Sequence, residues 1–459
     1  MNLARTMQRA SAALVVVALT ASVATPAVAK PVGGGGEPRG SKVKNIIVMI
    51  SDGMGYNQML AGDYYLYGQA GRSFTGMPFK SAMSTYALGD SYDPAAAWAS
   101  FDYVKQNPTD SSAAATAMST GMKTYNGAIG VDVDGQPIEH MMQAAEAEGR
   151  ATGVVTSVEF SHATPAGFVA HNVSRNNYVA IADEMVRSSA TDVIMGAGSP
   201  WYYDSGAARS AASYKYIGLD AWNALATGTP CADADGDGTG DAWTLVQSRD
   251  EFLALAEGET PERVCGVPQV YTTLQQARPG DGSAPAYAVS FTPGVPTLTE
   301  MTEGALNVLD SDEDGFVLMI EGGAVDWAGH ANQSGRLIEE QADFVAAYQA
   351  VNAWVEENSN WGETLLIVTG DHETGYLTGP GSGQFASGPV WTPVGNLGVG
   401  TMPAVQWNSG DHTNSLIPFF AKGSAARQFK VESDEIDPVR GRYIDNTEIA
   451  KVCFGLIEQ

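Results

Sequence analysis

The chain has 459 residues, 44% of them hydrophobic and 17% charged. That supply of apolar side chains fills a large core and excludes a disordered or fibrous chain. With 25 Lys and Arg against 52 Asp and Glu, the formal charge is −27; this repels nucleic acid and anionic membranes, and an anionic substrate would need positive charge from elsewhere, a metal first.

Residues 1–29 read as a signal peptide. Arg5 and Arg9 precede an apolar stretch from Ser11 to Val23, and Ala27-Val28-Ala29 is a small-x-small cleavage site. The stretch is too short to span a bilayer and no other long apolar run follows. The expectation is an exported protein, periplasmic or extracellular, without a membrane anchor. Residues 30–44, with Pro31, Pro38 and a run of glycines, read as a flexible leader. Val43–Ile50 is a continuous apolar run that suits a strand buried on both faces. Similar runs recur at Gly153–Thr156, Asp192–Met195, Phe316–Ile320 and Leu365–Thr369, with helical patterns such as Ile138–Glu148 and Leu337–Glu356 between them. The alternation predicts an α/β fold with a large central, mostly parallel sheet flanked by helices. Cys231 and Cys265 flank a Gly- and Asp-rich stretch and in an exported protein can pair, whereas Cys453 sits in an apolar C-terminal helical pattern as a small hydrophobe.

Each strand is followed by chemistry. Asp52 follows the first, His162 and Thr164 the second, Glu321 and Asp326 the Phe316 run, and Asp371 and His372 the Leu365 run. Ligands of open α/β sheets bind beyond the carboxyl ends of the strands. Residues scattered along the chain can therefore meet at one site. The length alone suggests about three domains, but this convergence argues for one catalytic domain over 45–459. Its inserted loops or small subdomains fall near 200–296 and 379–411.

Of six histidines, His162, His330, His372 and His412 lie beside acidic or hydroxyl residues. Asp326 and His330 are four apart and share a helical face. Mixed imidazole and carboxylate sets suit zinc. His140 reads as a helix residue and His171 as structural. Asp110-Ser111 opens an alanine-rich helix, where backbone N–H groups and the helix dipole favour an anion; a serine nucleophile there needs metals nearby. Arg175 offers a guanidinium that can hold two phosphate oxygens. Asp310 to Glu321 matches the spacing of an EF-hand, but Phe316–Ile320 reads as a buried strand and excludes it. Asp233–Asp241 reads either as a calcium loop or as a solvated acidic turn.

These segments together resemble alkaline phosphatases. The resemblance is carried by Ile46–Gly55, Thr109–Thr116, Ser161–Ala166, Ile320–His330, Thr369–Gly375 and Asp411–Thr413, in family order. It implies a phosphomonoesterase with two zinc ions and one magnesium, acting on small phosphate monoesters through a phosphoserine at Ser111. By motif position, Asp326, His330 and His412 would hold the first zinc. Asp52, Asp371 and His372 would hold the second, beside Ser111, and Asp52, Thr164 and Glu321 the magnesium. Arg175 would clamp the phosphate. His162 and Trp327 resemble the pair of several bacterial members, in which the histidine orders a magnesium-bound water. The family resemblance also allows a homodimer. The competing readings are a phosphodiesterase of the same superfamily and, from another class, a secreted calcium-binding adhesion protein supported only by Asp233–Asp241. Ser111 together with Arg175 favours monoesters.

Overall fold

The computed structural model describes residues 42–459. The signal-peptide expectation over 1–29, and most of the 30–44 leader, lie outside the described residues. Eleven strands form one sheet. In chain order they are β1 (Asn45–Ser51), β2 (Phe79–Ser84), β3 (Ala151–Glu159), β4 (Val193–Ala197), β5 (Thr244–Val246), β6 (Val264–Gly266), β7 (Phe316–Gly322), β8 (Thr364–Thr369), β9 (Ile417–Lys422), β10 (Glu435–Asp437) and β11 (Gly441–Asp445). Their order across the sheet is β10-β11-β2-β9-β8-β1-β7-β3-β4-β6-β5. From β8 to β5 every neighbouring pair is parallel. All five strands expected from sequence are the adjacent central ones, β8, β1, β7, β3 and β4.

The continuous apolar runs arise because both sheet faces are covered. In β1, Ile46, Val48 and Ile50 enter one core, while Ile47 and Met49 enter the other. β7 and β8 alternate in the same way. The helices that matter for the site are α1 (Tyr56–Tyr67), α2 (Ser111–Thr120), α3 (Met141–Ala147), α4 (Ala163–Val169), α5 (Leu298–Leu309), α6 (Ala324–His330) and α7 (Ser334–Asn358). α2, α3 and α4 pack on the first core, α5 and α7 on the second. Among the described residues no helix is long and apolar enough to cross a membrane.

Two expectations are adjusted. The Ile138–Glu148 helix begins only at Met141, because His140 sits before it in extended backbone and caps it, Nδ1 accepting from Gln143 N at 3.2 Å. His140 is thus a cap rather than a helix residue. The Cys231–Cys265 pairing does not form: all three cysteines are free. Cys265 is fully buried in β6, between β4 and β5, while Cys231 lies in the loop outside the sheet and points its thiol to Thr229 O at 3.3 Å. The 200–296 stretch contributes β5 and β6 to the edge of the main sheet.

Candidate active site

Register does the first part of the assembly. Ile50 lies opposite both Glu321 and Thr369, and Thr156 lies opposite Glu321. Asp52 and Asp371, each two residues beyond that line, therefore leave the same sheet edge side by side. Gly53 turns the chain with φ +75°, and a Cβ there would stand 2.8 Å from Asp326 Cα. Only glycine lets Asp52 and Asp326 come this close. Gly53 N also donates to Asp371 Oδ1 at 3.0 Å.

α2 delivers the serine. Asp110 caps it by accepting from Ala113 N, and Ser111 is the first helical residue, buried at the N-terminus. Ser111 Oγ lies 3.2 Å from His372 Nε2, which is 3.1 Å from Asp371 Oδ2 and 3.5 Å from Asp52 Oδ1. On the other side, Asp110 Oδ2 accepts from Arg175 at 3.1 Å, and the second Arg175 nitrogen is 3.3 Å from His162 Nε2. His162 packs edge-on against Trp327, ring centroids 5.9 Å apart. Burial opposes ionisation of Asp110, but the Arg175 charge and the cap bonds hold its carboxyl below the ordinary range.

The second part is built by α6 and a short ladder that pairs His412 with Thr374. Asp326 and His330 do share a face of α6, with His330 Nε2 3.4 Å from Asp326 Oδ2. His330 Nδ1 lies 2.7 Å from Gly410 O, and His412 Nδ1 lies 2.9 Å from Thr109 O. Each ring must use that nitrogen to donate. Their Nε2 atoms then face one another at 3.0 Å, with Asp326 Oδ1 3.5 Å from that of His412. Two imidazole lone pairs and a carboxylate aimed at one point repel unless a proton or a cation lies between them. Burial opposes charging of His412, but Asp326 pushes it up to about 9.

Third, Asp52 Oδ1 and Oδ2, Asp371 Oδ2, Thr164 Oγ1, Glu321 Oε1 and His162 Nδ1 are buried without an ordinary hydrogen bond. Burial, then Asp371, Asp326 and Glu321, holds the Asp52 carboxyl well above its usual range. Burial likewise pushes Glu321 up to about 7. Buried acids this crowded call for cations. Three sets each bring one ligand atom per residue within 4.8 Å of one another: Asp326, His372 and His412; Asp52, Asp371 and His372; Asp52, His162 and Glu321. The donor chemistry fits divalent metals. A fourth set, Asp233, Asp235 and Asp241, lies in an exposed loop, where these oxygens accept the loop's own N–H groups.

All twelve sequence-assigned residues meet in this region, and Ser111, His162, Arg175, Asp326, Trp327, His330 and His412 line one open cleft of about 980 Å³. Lys105, Asn126 and Gln276 also line it and were not anticipated. Nor was Asp110 as the partner of Arg175, although its place beside Ser111 was a signal. Gln276 carries no local signal; it reaches the cleft through a fold contact, donating to Gln333 Oε1 at 3.0 Å. His171 is structural, with Nδ1 2.9 Å from Glu184 and Nε2 3.1 Å from Ile138 O.

A helix-borne serine among imidazoles and uncompensated carboxylates, at the carboxyl edge of a doubly covered sheet, is the architecture of metal-dependent hydrolases. The chain belongs to the alkaline phosphatase family, whose model matches residues 43–393. It is 33% identical to alkaline phosphatase 3 of Bacillus subtilis over 73% of this chain, and the match spans 62% of that relative's length. With the alkaline phosphatase of Escherichia coli it shares 30% identity over 86% of this chain and 84% of the relative. A solved mutant of the TAB5 alkaline phosphatase with Mg bound in its M3 site superposes with a TM-score of 0.61 at 25% identity, covering 91% of this chain and 98% of that one.

Proposed function

We propose that this protein is an exported phosphomonoesterase that works through a phosphoserine at Ser111 with two zinc ions and one magnesium. The observation that carries it is Ser111 Oγ at the N-terminus of α2, 3.2 Å from His372 Nε2 and beside unsatisfied Asp52 and Asp371 oxygens. Asp326, His330 and His412 would hold one zinc, Asp52, Asp371 and His372 the other, and Asp52, Thr164 and Glu321 the magnesium. When bound, these ions supply Lewis-acid charge at the attacking and leaving oxygens. Arg175, aligned by Asp110, binds two phosphate oxygens and orients the ester so that Ser111 Oγ approaches phosphorus in line. The Ser111 O–P bond forms as the ester O–P bond breaks, and water then hydrolyses the phosphoserine. His162 and Trp327 would border the third site, and the TAB5 mutant with Mg bound in its M3 site supports magnesium as a metal that a family member can hold.

The catalytic domain in this reading is 45–459, with 200–296 and 379–411 as inserts. Export rests on the 1–29 pattern, and homodimerisation on the family resemblance. The deciding assay is hydrolysis of p-nitrophenyl phosphate beside bis-p-nitrophenyl phosphate, before chelation, after it, and after refilling with zinc and magnesium. Monoester cleavage that stops on chelation and returns with both metals is expected. A diester preference, or activity indifferent to chelation, overturns the reading.

A further inference from the structure

A separate cavity of about 410 Å³ opens between α7 and the 287–297 loop. Glu339, Glu340 and Asp343, all from α7, line it together with the rings of Tyr287 and Phe291. The three acids do not have equal partners. Glu339 pairs with Arg278 at 2.8 Å and accepts from Tyr287 N at 2.6 Å. Asp343 accepts from Leu298 N at 2.9 Å. Glu340 is 6% exposed, and among the described residues neither of its oxygens makes a hydrogen bond or ion pair; Oε1 is fully buried and unsatisfied.

No neighbouring arginine is free to neutralise it. Arg278 is spent on Glu339 and on the carbonyls of Gln275, Val289 and Ser290, and its guanidinium lies over one face of the Phe291 ring, 4.6 Å from the centroid. Arg249, at the cavity, is bound to Glu300, and Arg336 reaches carbonyl oxygens of Gln275 and Arg278. A buried carboxylate with no countercharge is costly, so a cavity holding one has a place for a cation. Burial, then Asp343 and Glu339, pushes Glu340 up to about 8, with Arg278 only partly opposing, so near neutral pH the group holds a proton that a bound cation would displace.

The kind of cation follows from the walls. The three acids here do not gather ligand atoms within 4.8 Å of one another, as the metal-type clusters do. A compact dication needs such convergence. Tyr287 and Phe291 instead form an aromatic corner, ring centroids 5.9 Å apart and both rings about half exposed. Tyr287 stands there with φ +63°, a conformation rare for a bulky residue. Arg278 covers one face of Phe291, and the ring surface of Tyr287 and Phe291 that stays exposed, with the carboxylates opposite, suits a diffuse, weakly hydrated cation.

We propose that this cavity binds a small organic ammonium ion between the Glu340 and Asp343 carboxylates and the Tyr287 and Phe291 rings. The site is distinct from the phosphatase cleft and does not depend on the reaction assigned to it.

The test is calorimetric titration of the full enzyme with choline and, separately, with its uncharged isostere 3,3-dimethyl-1-butanol. Saturable binding of choline at one site, and none of the alcohol, is expected. Glu340→Gln should weaken choline at least about tenfold. Phe291→Leu should weaken it about threefold. Turnover of p-nitrophenyl phosphate by both variants should match the parent, which verifies their folding. Should Glu340→Gln misfold, Phe291→Leu on the exposed wall carries the test alone. Equal binding of the alcohol, binding unchanged in the variants, calcium binding in place of choline, or no choline binding each overturns the proposal.

Discussion

Asp110 performs two tasks with one side chain. Oδ1 accepts from Ala113 N and caps α2, while Oδ2 holds Arg175 at 3.1 Å. Asparagine caps a helix as well as aspartate does but offers a weaker grip on a guanidinium. Oδ2 also accepts from Gly127 N at 3.0 Å, a bond that an amide nitrogen cannot accept, so Asp110→Asn should keep the cap, lower stability by about 1 kcal/mol and weaken inhibition by inorganic phosphate about tenfold. An unchanged inhibition constant would show that Arg175 keeps its orientation without the charge. Ser111→Ala should abolish the labelled phosphoserine formed with radioactive phosphate; a label surviving elsewhere would move the nucleophile. Glu159 shows the same logic in the core. Its Oε2 is buried without a partner, and burial pushes its carboxyl up to about 8. The folded value exceeds the unfolded one, so its contribution is whole below the ordinary glutamate range. It is lost progressively as pH rises through about 8. Glu159→Gln should flatten the fall in urea-unfolding stability across that window; an identical pH profile would show that the group already has a countercharge.

At the scale of elements, the serine's position depends on how closely α2 meets α4. Gly167 of α4 faces Ala115 of α2, and a Cβ there would stand 2.7 Å from Ala115 Cβ and 3.3 Å from the backbone carbon of Ala115. Ser119 adds a hydrogen bond from Oγ to Gly167 O. The alanine-rich sequence of α2 thus serves close approach as well as helix formation. Gly167→Ala should cost about 1–3 kcal/mol by overpacking and, by displacing the N-terminus of α2, should lower kcat more than it raises KM. Thermal unfolding with steady-state kinetics checks both; a stability loss with normal kcat would mean that α2 shifts without moving Ser111. The apolar runs of β1, β7 and β8 were readable because burial on both faces removes polar alternation. The start of α3 was misjudged because a histidine cap has no pattern of its own.

Over the whole molecule, a formal charge of −27 surrounds the cleft, which in the proposed function takes phosphate dianions. The positive charge there is local, from Arg175, Lys105 and the ions proposed for the acidic clusters. Salt screens the long-range repulsion more than the short buried contacts. For p-nitrophenyl phosphate, kcat/KM should therefore rise with sodium chloride at fixed pH. A steady decline would mean that attraction at the cleft outweighs the global field.

The amino-acid sequence by itself determined the α/β class, the central strands and nearly all of the candidate site, since strand ends and the residues after them are local features of the chain. It also determined the helix start at Asp110-Ser111, with Asp110 as the cap, a property of neighbouring residues. Tertiary structure alone decided which histidine nitrogens face each other, because the carbonyls of Gly410 and Thr109 that orient them come from distant segments. It alone joined Asp110 to Arg175, kept Cys231 and Cys265 apart, and left Glu340 without a partner in its cavity. Each of these depends on contacts between distant parts of the chain, and no local pattern of residues encodes them.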